Sequence, residues 1–445
     1  MKCGFTIRAL EVGCGPTRTS ILTCVTQRAI RGSITTRKVP PDSSTILLRT
    51  LGKAADSLDA AHHGRMRILH AIDSCDPTAG GVVEAVVRLS EALCEQGITS
   101  EILSGNDPQA PFLSDLPGKV HALGPSSQGS YGYAPAMLPW LGEHACEYDA
   151  LVAHGLWQYP AVAVRKALRG TNIPYYLYPH GMLDPWFKQT YPLKHLKKVV
   201  YWKLTQSKIL RDARSVCFTT EDERLLGQCT FSPYRCRETV VGLGSVEPPD
   251  DSESQRETFL QRFPQVRGRR NLLFLARIHA KKGADLLLRA FGEIATDDDL
   301  LVLAGPCEDE AHARKLREIA TEFEDRVLWT GMIEGDCKWG ALRAAEALVL
   351  PSHQENFGIV VAEALSVGTP VLISDKVNLW REVEKDGAGL VEPDDIEGTR
   401  RLLSQAKKAG LIEERLNARA CFKKRFSIRR GAANLLELLE ADARS

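Results

Sequence analysis

Residues 349–363, VLPSHQENFGIVVAE, limit what this chain can fold into more than any other stretch. Residues 347–350 are a short apolar run, the mark of a buried strand. Pro351-Ser352-His353-Gln354 breaks it. From about Asn356 onward, Phe357, Val360, Val361, Ala364 and Leu365 recur at helical spacing, so strand, loop and helix follow one another. This reading puts Gly358 in the first helical turn, where a missing side chain lets a ligand approach free N–H groups. Those groups and the helix dipole favour an anion such as phosphate. Glu355 stands just ahead of the helix and Glu363 about two turns into it, roughly 11 Å further along the axis. Carboxylates that far apart cannot share one metal or one proton. They can accept hydrogen bonds from two separate hydroxyl-bearing groups with a phosphate between them. A nucleotide-sugar has that layout: ribose, diphosphate, sugar.

The rest of the chain supplies a frame for such a site. From Met66, strand-like runs at 67–72, 100–103, 120–123, 150–153, 175–178, 215–218 and 239–241 alternate with helical patterns such as 82–96 and 160–169. A polar break at 247–254 follows. Alternation resumes at 271–275, 300–304, 327–329, 347–350, 371–373 and 389–391. The pattern predicts α/β architecture: two Rossmann-like, doubly wound parallel domains. We divide the chain into a low-order extension (1–65), an N-terminal Rossmann-like domain (66–246), a linker region (247–270), a C-terminal Rossmann-like domain (271–426) and a final helix (427–445). The extension is rich in Arg, Thr and Ser and poor in acids, and it lacks sustained periodicity. A targeting peptide, a disordered tail and a misplaced translation start all fit it.

Composition excludes several functions. A net charge of +1 over 445 residues argues against nucleic acid as a partner. Twelve cysteines without a paired Cys-x2-Cys spacing suggest neither a zinc site nor a disulfide framework, and fit a reducing cytoplasm. No apolar run reaches membrane-spanning length. Between 186 and 203, lysines interleave with Trp186, Phe187, Tyr191, Tyr201 and Trp202. A solvated helix face explains this, and so does an acceptor surface or peripheral contact with the inner face of an anionic membrane.

Open α/β sheets bind ligands at the carboxyl ends of their strands, and the remaining motifs lie there. Gly80-Gly81 follows the first strand. His154-Gly155-Leu156-Trp157 and His180-Gly181 follow two successive strands. Arg277-Ile278-His279-Ala280-Lys281-Lys282-Gly283 ends the first strand of the second domain. A departing nucleoside diphosphate gathers negative charge, and fixed cations lower that barrier as a divalent metal would. Lys281 reads as a solvated neighbour. Asp73 and Asp76 lack further ligands, so no metal and no cofactor is expected beyond the co-substrate.

At these residues the chain resembles the retaining, GT-B-fold glycosyltransferases of the family 4 type, whose signature is Glu-x7-Glu, here Glu355 and Glu363. Gly368-Thr369-Pro370-Val371 follows the motif as in that family. The resemblance covers 66 to about 441, and it implies that 66–246 is the acceptor domain, that 271–426 binds the nucleotide-sugar and that the helix at 427–445 packs back toward the first domain. It implies a nucleotide-sugar donor, held by Gly80, Gly81, Arg277, Lys282, Glu355, Asn356, Phe357, Gly358 and Glu363. It implies catalytic parts for His180, Glu355, Arg277 and Lys282, and places His154 and Trp157 on the side of a glycan or lipid-linked glycan acceptor. It also fits polysaccharide or glycoconjugate biosynthesis. One departure is Val241-Gly242-Leu243-Gly244, where the family commonly has Pro-Asn-Gly-Val. A GT-B nucleotide-sugar epimerase and a catalytically silent sugar-nucleotide-binding protein are the competing readings. Donor identity and oligomeric state are not legible.

Overall fold

The computed structural model describes residues 66–444 apart from 128, 130, 191 and 250; the predicted N-terminal extension lies outside the described residues. The first sheet comprises β1 (Arg67–Ile72), β2 (Thr99–Ser104), β3 (Lys119–Ala122), β4 (Ala150–His154), β5 (Tyr175–Tyr178), β6 (Ser215–Phe218) and β7 (Glu238–Val240). Its order is β3-β2-β1-β4-β5-β6-β7, and every neighbouring pair is parallel. The second comprises β8 (Arg270–Leu275), β9 (Asp299–Ala304), β10 (Val327–Gly331), β11 (Ala347–Leu350), β12 (Val371–Ser374) and β13 (Gly389–Glu392). Its order is β10-β9-β8-β11-β12-β13, again parallel. The expected α/β class with two doubly wound sheets is therefore what forms.

Parallel strands covered by helices on both faces read as largely apolar runs, which is why sequence located β5, β8, β11 and β12 closely. Leu272, Leu273 and Phe274 of β8, and all of Ala347–Leu350 in β11, are buried. The strand order turns about β1/β4 in one sheet and β8/β11 in the other. Ligand crevices open at such points.

The chain crosses between the halves twice, side by side. Ser245 donates its N–H to the Phe426 carbonyl (2.8 Å) and accepts from Ile428 (2.8 Å). Beyond the second crossing, helix Ile428–Ala443 returns to the first half. Asp442 there accepts from the Tyr176 hydroxyl (3.0 Å) and from Arg237 (2.5 Å), and Asn434 donates to the Val241 carbonyl (2.8 Å).

The region taken as a linker is more structured than its polar composition suggested. Helix Ser252–Arg262 lies within it, burying Gln255 and Phe259. Gln255 donates to Asp336 (3.1 Å) and accepts from Arg343 (3.0 Å), both on helix Gly335–Ala344. One phenylalanine and one amide anchor an otherwise solvated helix, too sparse a signal for apolar periodicity. Among the described residues, no helix is long and apolar enough to cross a membrane.

Candidate active site

A cleft of about 500 Å³ runs between the two sheets' carboxyl edges. Thr78–Val82 and His180 line one wall; Arg277, Lys281, Lys282 and 355–360 line the other. Gly80, Gly81, Asn356, Phe357 and Gly358 are thus brought together across it.

The motif helix is shorter than its periodicity implied. Gly358 adopts φ 67°, which a residue with a side chain resists, and it caps helix Ile359–Ser366 rather than sitting inside it. Glu363 is then the fifth residue of the helix, little more than one turn in. Phe357 is buried by loop packing, its ring 6.2 Å from that of Phe426, not by a helical face. Gly358 offers no capping side chain, so among the described residues the N–H groups of Ile359 and Val360 have no protein acceptor. They open on the cleft.

Each of the two glutamates has a lysine partner. Glu355, fixed by a backbone bridge to Val377, forms an ion pair with Lys282. Glu363 is 8% exposed, pairs with Lys338 at 2.8 Å and does not line the cleft. Burial pushes the Glu363 carboxyl up despite that lysine. The Lys282 ammonium is pushed down by burial first and by Lys281 and Arg277 next. Lys281, expected to be solvated, lines the cleft with the other two cations, and desolvation pushes its ammonium down as well. Arg277 is exposed and makes no ion pair among the described residues, so its charge is available.

On the opposite wall, a row of three imidazoles crosses three neighbouring strands. His70 on β1 approaches His154 at the end of β4 (Nδ1 to Nε2, 2.9 Å). His154 approaches His180, two residues past β5 (Nδ1 to Nε2, 3.0 Å). The Tyr178 ring stacks on both, with centroids 5.4 and 5.6 Å away. His70 and His154 are almost wholly buried, and burial pushes His70 and His180 down to about 4, His154 also well down. All three are neutral near pH 7, so each carries one N–H and both bonds must run in one sense. Running from His180 toward His70 would leave an N–H buried without an acceptor at His70 Nε2, which has no partner. The reverse leaves only a bare lone pair there, the cheaper defect. His180 then turns an Nδ1–H donor outward.

His154, placed by sequence on the acceptor side, does not line the cleft; it is the middle of this row. Trp157 likewise points elsewhere: its indole donates to the Met182 carbonyl (3.3 Å), and its ring packs near Trp202 and Phe231. His180 holds φ 52°, an uncommon conformation for a residue with a side chain. Buried Glu223 fixes the loop, accepting from the Gly181 N–H (2.6 Å) and from Thr219 through its N–H (2.7 Å) and hydroxyl (2.6 Å). Gly181 lets Asn356 close in from the other half, where a Cβ would fall 2.7 Å from the Asn356 side chain. His70, Glu223, Lys281 and Lys338 are the site residues that sequence reasoning missed. Only Lys281 lay in a motif that could have shown it.

Asp73 and Asp76 have other partners. Asp73 accepts from Gln158 (3.0 Å), and Asp76 caps a short helical turn through Thr78 (2.8 Å). Among the described residues, no three His, Cys, Asp or Glu side chains gather as metal ligands.

Comparison with known proteins agrees with this geometry. Residues 255–429 match the family described as glycosyl transferases group 1, and residues 80–244 match the glycosyl transferase 4-like domain. The D-inositol 3-phosphate glycosyltransferase of Xylanimonas cellulosilytica is 33% identical over 154 residues, 34% of this chain and 37% of that protein. The phosphatidyl-myo-inositol mannosyltransferase of Mycolicibacterium smegmatis is 33% identical over 188 residues, 40% of this chain and 47% of that protein. The matched stretches thus span less than half the length of either relative. Among solved structures, sucrose-phosphate synthase from Thermosynechococcus elongatus superposes with a TM-score of 0.66 at 21% identity, over 86% of this chain and 100% of that one. Anabaena HepE in complex with UDP and glucose gives a TM-score of 0.66 at 18% identity, over 84% and 100%. At these identities the likeness is one of fold. The two domain matches, which together take in about three-quarters of the sequence, show that the chain belongs to the GT-B-fold glycosyltransferases of the group 1, family 4 type.

Proposed function

We propose that this chain is a retaining glycosyltransferase that moves a sugar from a nucleotide-sugar to a hydroxyl of a glycan or lipid-linked glycan. The observation that carries the reading is the cleft, where Arg277, Lys281 and Lys282 stand beside the uncapped N-terminus of helix Ile359–Ser366. Three cations and free N–H groups in one cavity suit a diphosphate, and a volume near 500 Å³ lies in the range of small-ligand sites. A related structure points the same way, since Anabaena HepE was solved with UDP-glucose.

In this reading the resting Lys282–Glu355 ion pair is a placeholder. The diphosphate draws Lys282 from Glu355, and the freed carboxylate accepts hydrogen bonds from the donor sugar's hydroxyls. Lys338 holds Glu363 in place for the ribose. The His180 Nδ1–H donates to the sugar from the opposite wall. As the glycosidic bond breaks, negative charge grows on the leaving diphosphate, and Arg277, Lys281 and Lys282 stabilise it without needing a metal.

The test is a panel of nucleotide-sugars screened by thermal shift, followed by transfer assays with the donor that binds. A donor at about a hundred times its Kd should add roughly 2.7 kcal/mol of stability. The product should keep the donor's anomeric configuration by NMR. Donor epimerised without an acceptor, or binding with no transfer to any acceptor, would overturn the proposal.

A further inference from the structure

Residues 185–211 carry seven Lys or Arg and no Asp or Glu, in a chain whose net charge is only +1. Most of this segment is one continuous helical rod: Pro192–Tyr201, a π-helical turn Trp202–Gln206, then Ser207–Asp212. Its inner face is already satisfied. Trp202, Ile209 and Leu210 are fully buried, and the Trp202 ring stacks on Phe231 at 4.8 Å. The outer face is the anomaly. Leu193, Leu196, Val200 and Leu204 are 85, 65, 56 and 64% exposed and recur every three or four residues, which aligns them in one stripe. Lone exposed leucines are ordinary, but a row at helical spacing needs an apolar partner. Lys197, Lys203 and Lys208, all exposed, flank the stripe. Phe187, 49% exposed, adds an aromatic beside it, with Lys198 Nζ 4.7 Å from its ring.

We propose that this face seats the protein on an anionic lipid bilayer. The aliphatic stripe enters the headgroup boundary, and the lysine rows meet the lipid phosphates. Charge complementarity selects this occupant. A second copy of the chain would bring lysine row against lysine row. A nucleic acid would satisfy the lysines but leave the leucines in water. An interfacial helix of this kind needs an apolar face and cationic flanks, and both are present. The inference does not rest on the transferase reading, and its test involves no turnover.

The full chain is sedimented with vesicles rich in phosphatidylglycerol and, separately, with pure phosphatidylcholine. The account predicts binding to the anionic vesicles that weakens with salt, and little binding to the neutral ones. Lys197→Gln, Lys203→Gln and Lys208→Gln should each weaken anionic binding about fivefold. Leu196→Ser with Leu204→Ser should weaken it at least tenfold, and the melting temperature should not change because both side chains face solvent. Failure of the wild type to sediment with anionic vesicles overturns the proposal. So does undiminished binding by the leucine variant, or a dimer that dissociates on the leucine changes without any vesicle binding. Preferential capture of single-stranded nucleic acid that ignores the leucine changes also overturns it.

Discussion

Replacing His70 with leucine tests the imidazole row, because the effect should change with pH. A histidine kept neutral by burial costs nothing above its unfolded pKa of about 6.5, where both states lack the extra proton. As pH falls below that value, the unfolded chain takes up a proton that the folded chain refuses, so stability drops. The loss levels off once the folded pKa, about 4 for His70, has been passed. Between pH 7.5 and pH 4.5 a shift of that size removes roughly 2.5 kcal/mol. His70→Leu deletes this contribution but leaves His154 Nε2 buried without its partner, a cost of about 1–3 kcal/mol. The variant should therefore be the less stable protein at pH 7.5, and the gap should close or reverse by pH 4.5. Urea unfolding at several pH values reads both proteins under the same conditions, so carboxylate titrations common to both cancel. Parallel stability curves across that window would show that the row is not held neutral, and the assignment of an outward N–H to His180 would fall with it.

Two further outcomes follow from the ion pairs. Lys282→Ala removes one of the three cleft cations and leaves Glu355 without its counter-ion, so turnover should fall by about 10²–10³, while a chelator leaves wild-type turnover unchanged. Chelator inhibition reversed by manganese would refute that division of labour. Asp442→Ala strands the Tyr176 hydroxyl and cuts one of the ties between the last helix and the first domain. Unfolding free energy should drop by about 2 kcal/mol in urea, and a change within error would show the contact to be idle.

How legible all this was depends on what each element's pattern encodes. Strand positions came through because β1 and β8 are buried along most of their length and are largely apolar, with His70 and Asn271 as buried exceptions. The start of the motif helix did not, because Phe357 continues the helical spacing although its burial comes from loop packing. Periodicity reports burial without saying what does the burying. The loops at Arg277 and Glu355 were readable as motifs within one segment each. The imidazole row was not: His70 and His154 are 84 positions apart, and only the adjacency of β1, β4 and β5 joins them to His180. Glu223 and Lys338 sit on helices at positions that look like solvated faces. Their partners are set by tertiary packing, so no local signal could name them.

In the proposed reading the cleft holds a nucleotide-sugar with its diphosphate on the cations and its sugar on Glu355, while its ribose extends past the cleft lining to Glu363. Isothermal titration of the wild type, Glu355→Gln and Glu363→Gln, each with a bare nucleoside diphosphate and with the intact donor, tests it most directly. A lost charge-assisted hydrogen bond is worth about 1.5–3 kcal/mol, which is tenfold or more in affinity. Glu363→Gln should weaken both ligands, since both carry the ribose. Glu355→Gln should weaken the intact donor and spare the bare diphosphate, which has no sugar. If the two variants lose affinity for the bare diphosphate equally, or neither loses any, the carboxylates do not divide the ligand between them and the account is contradicted.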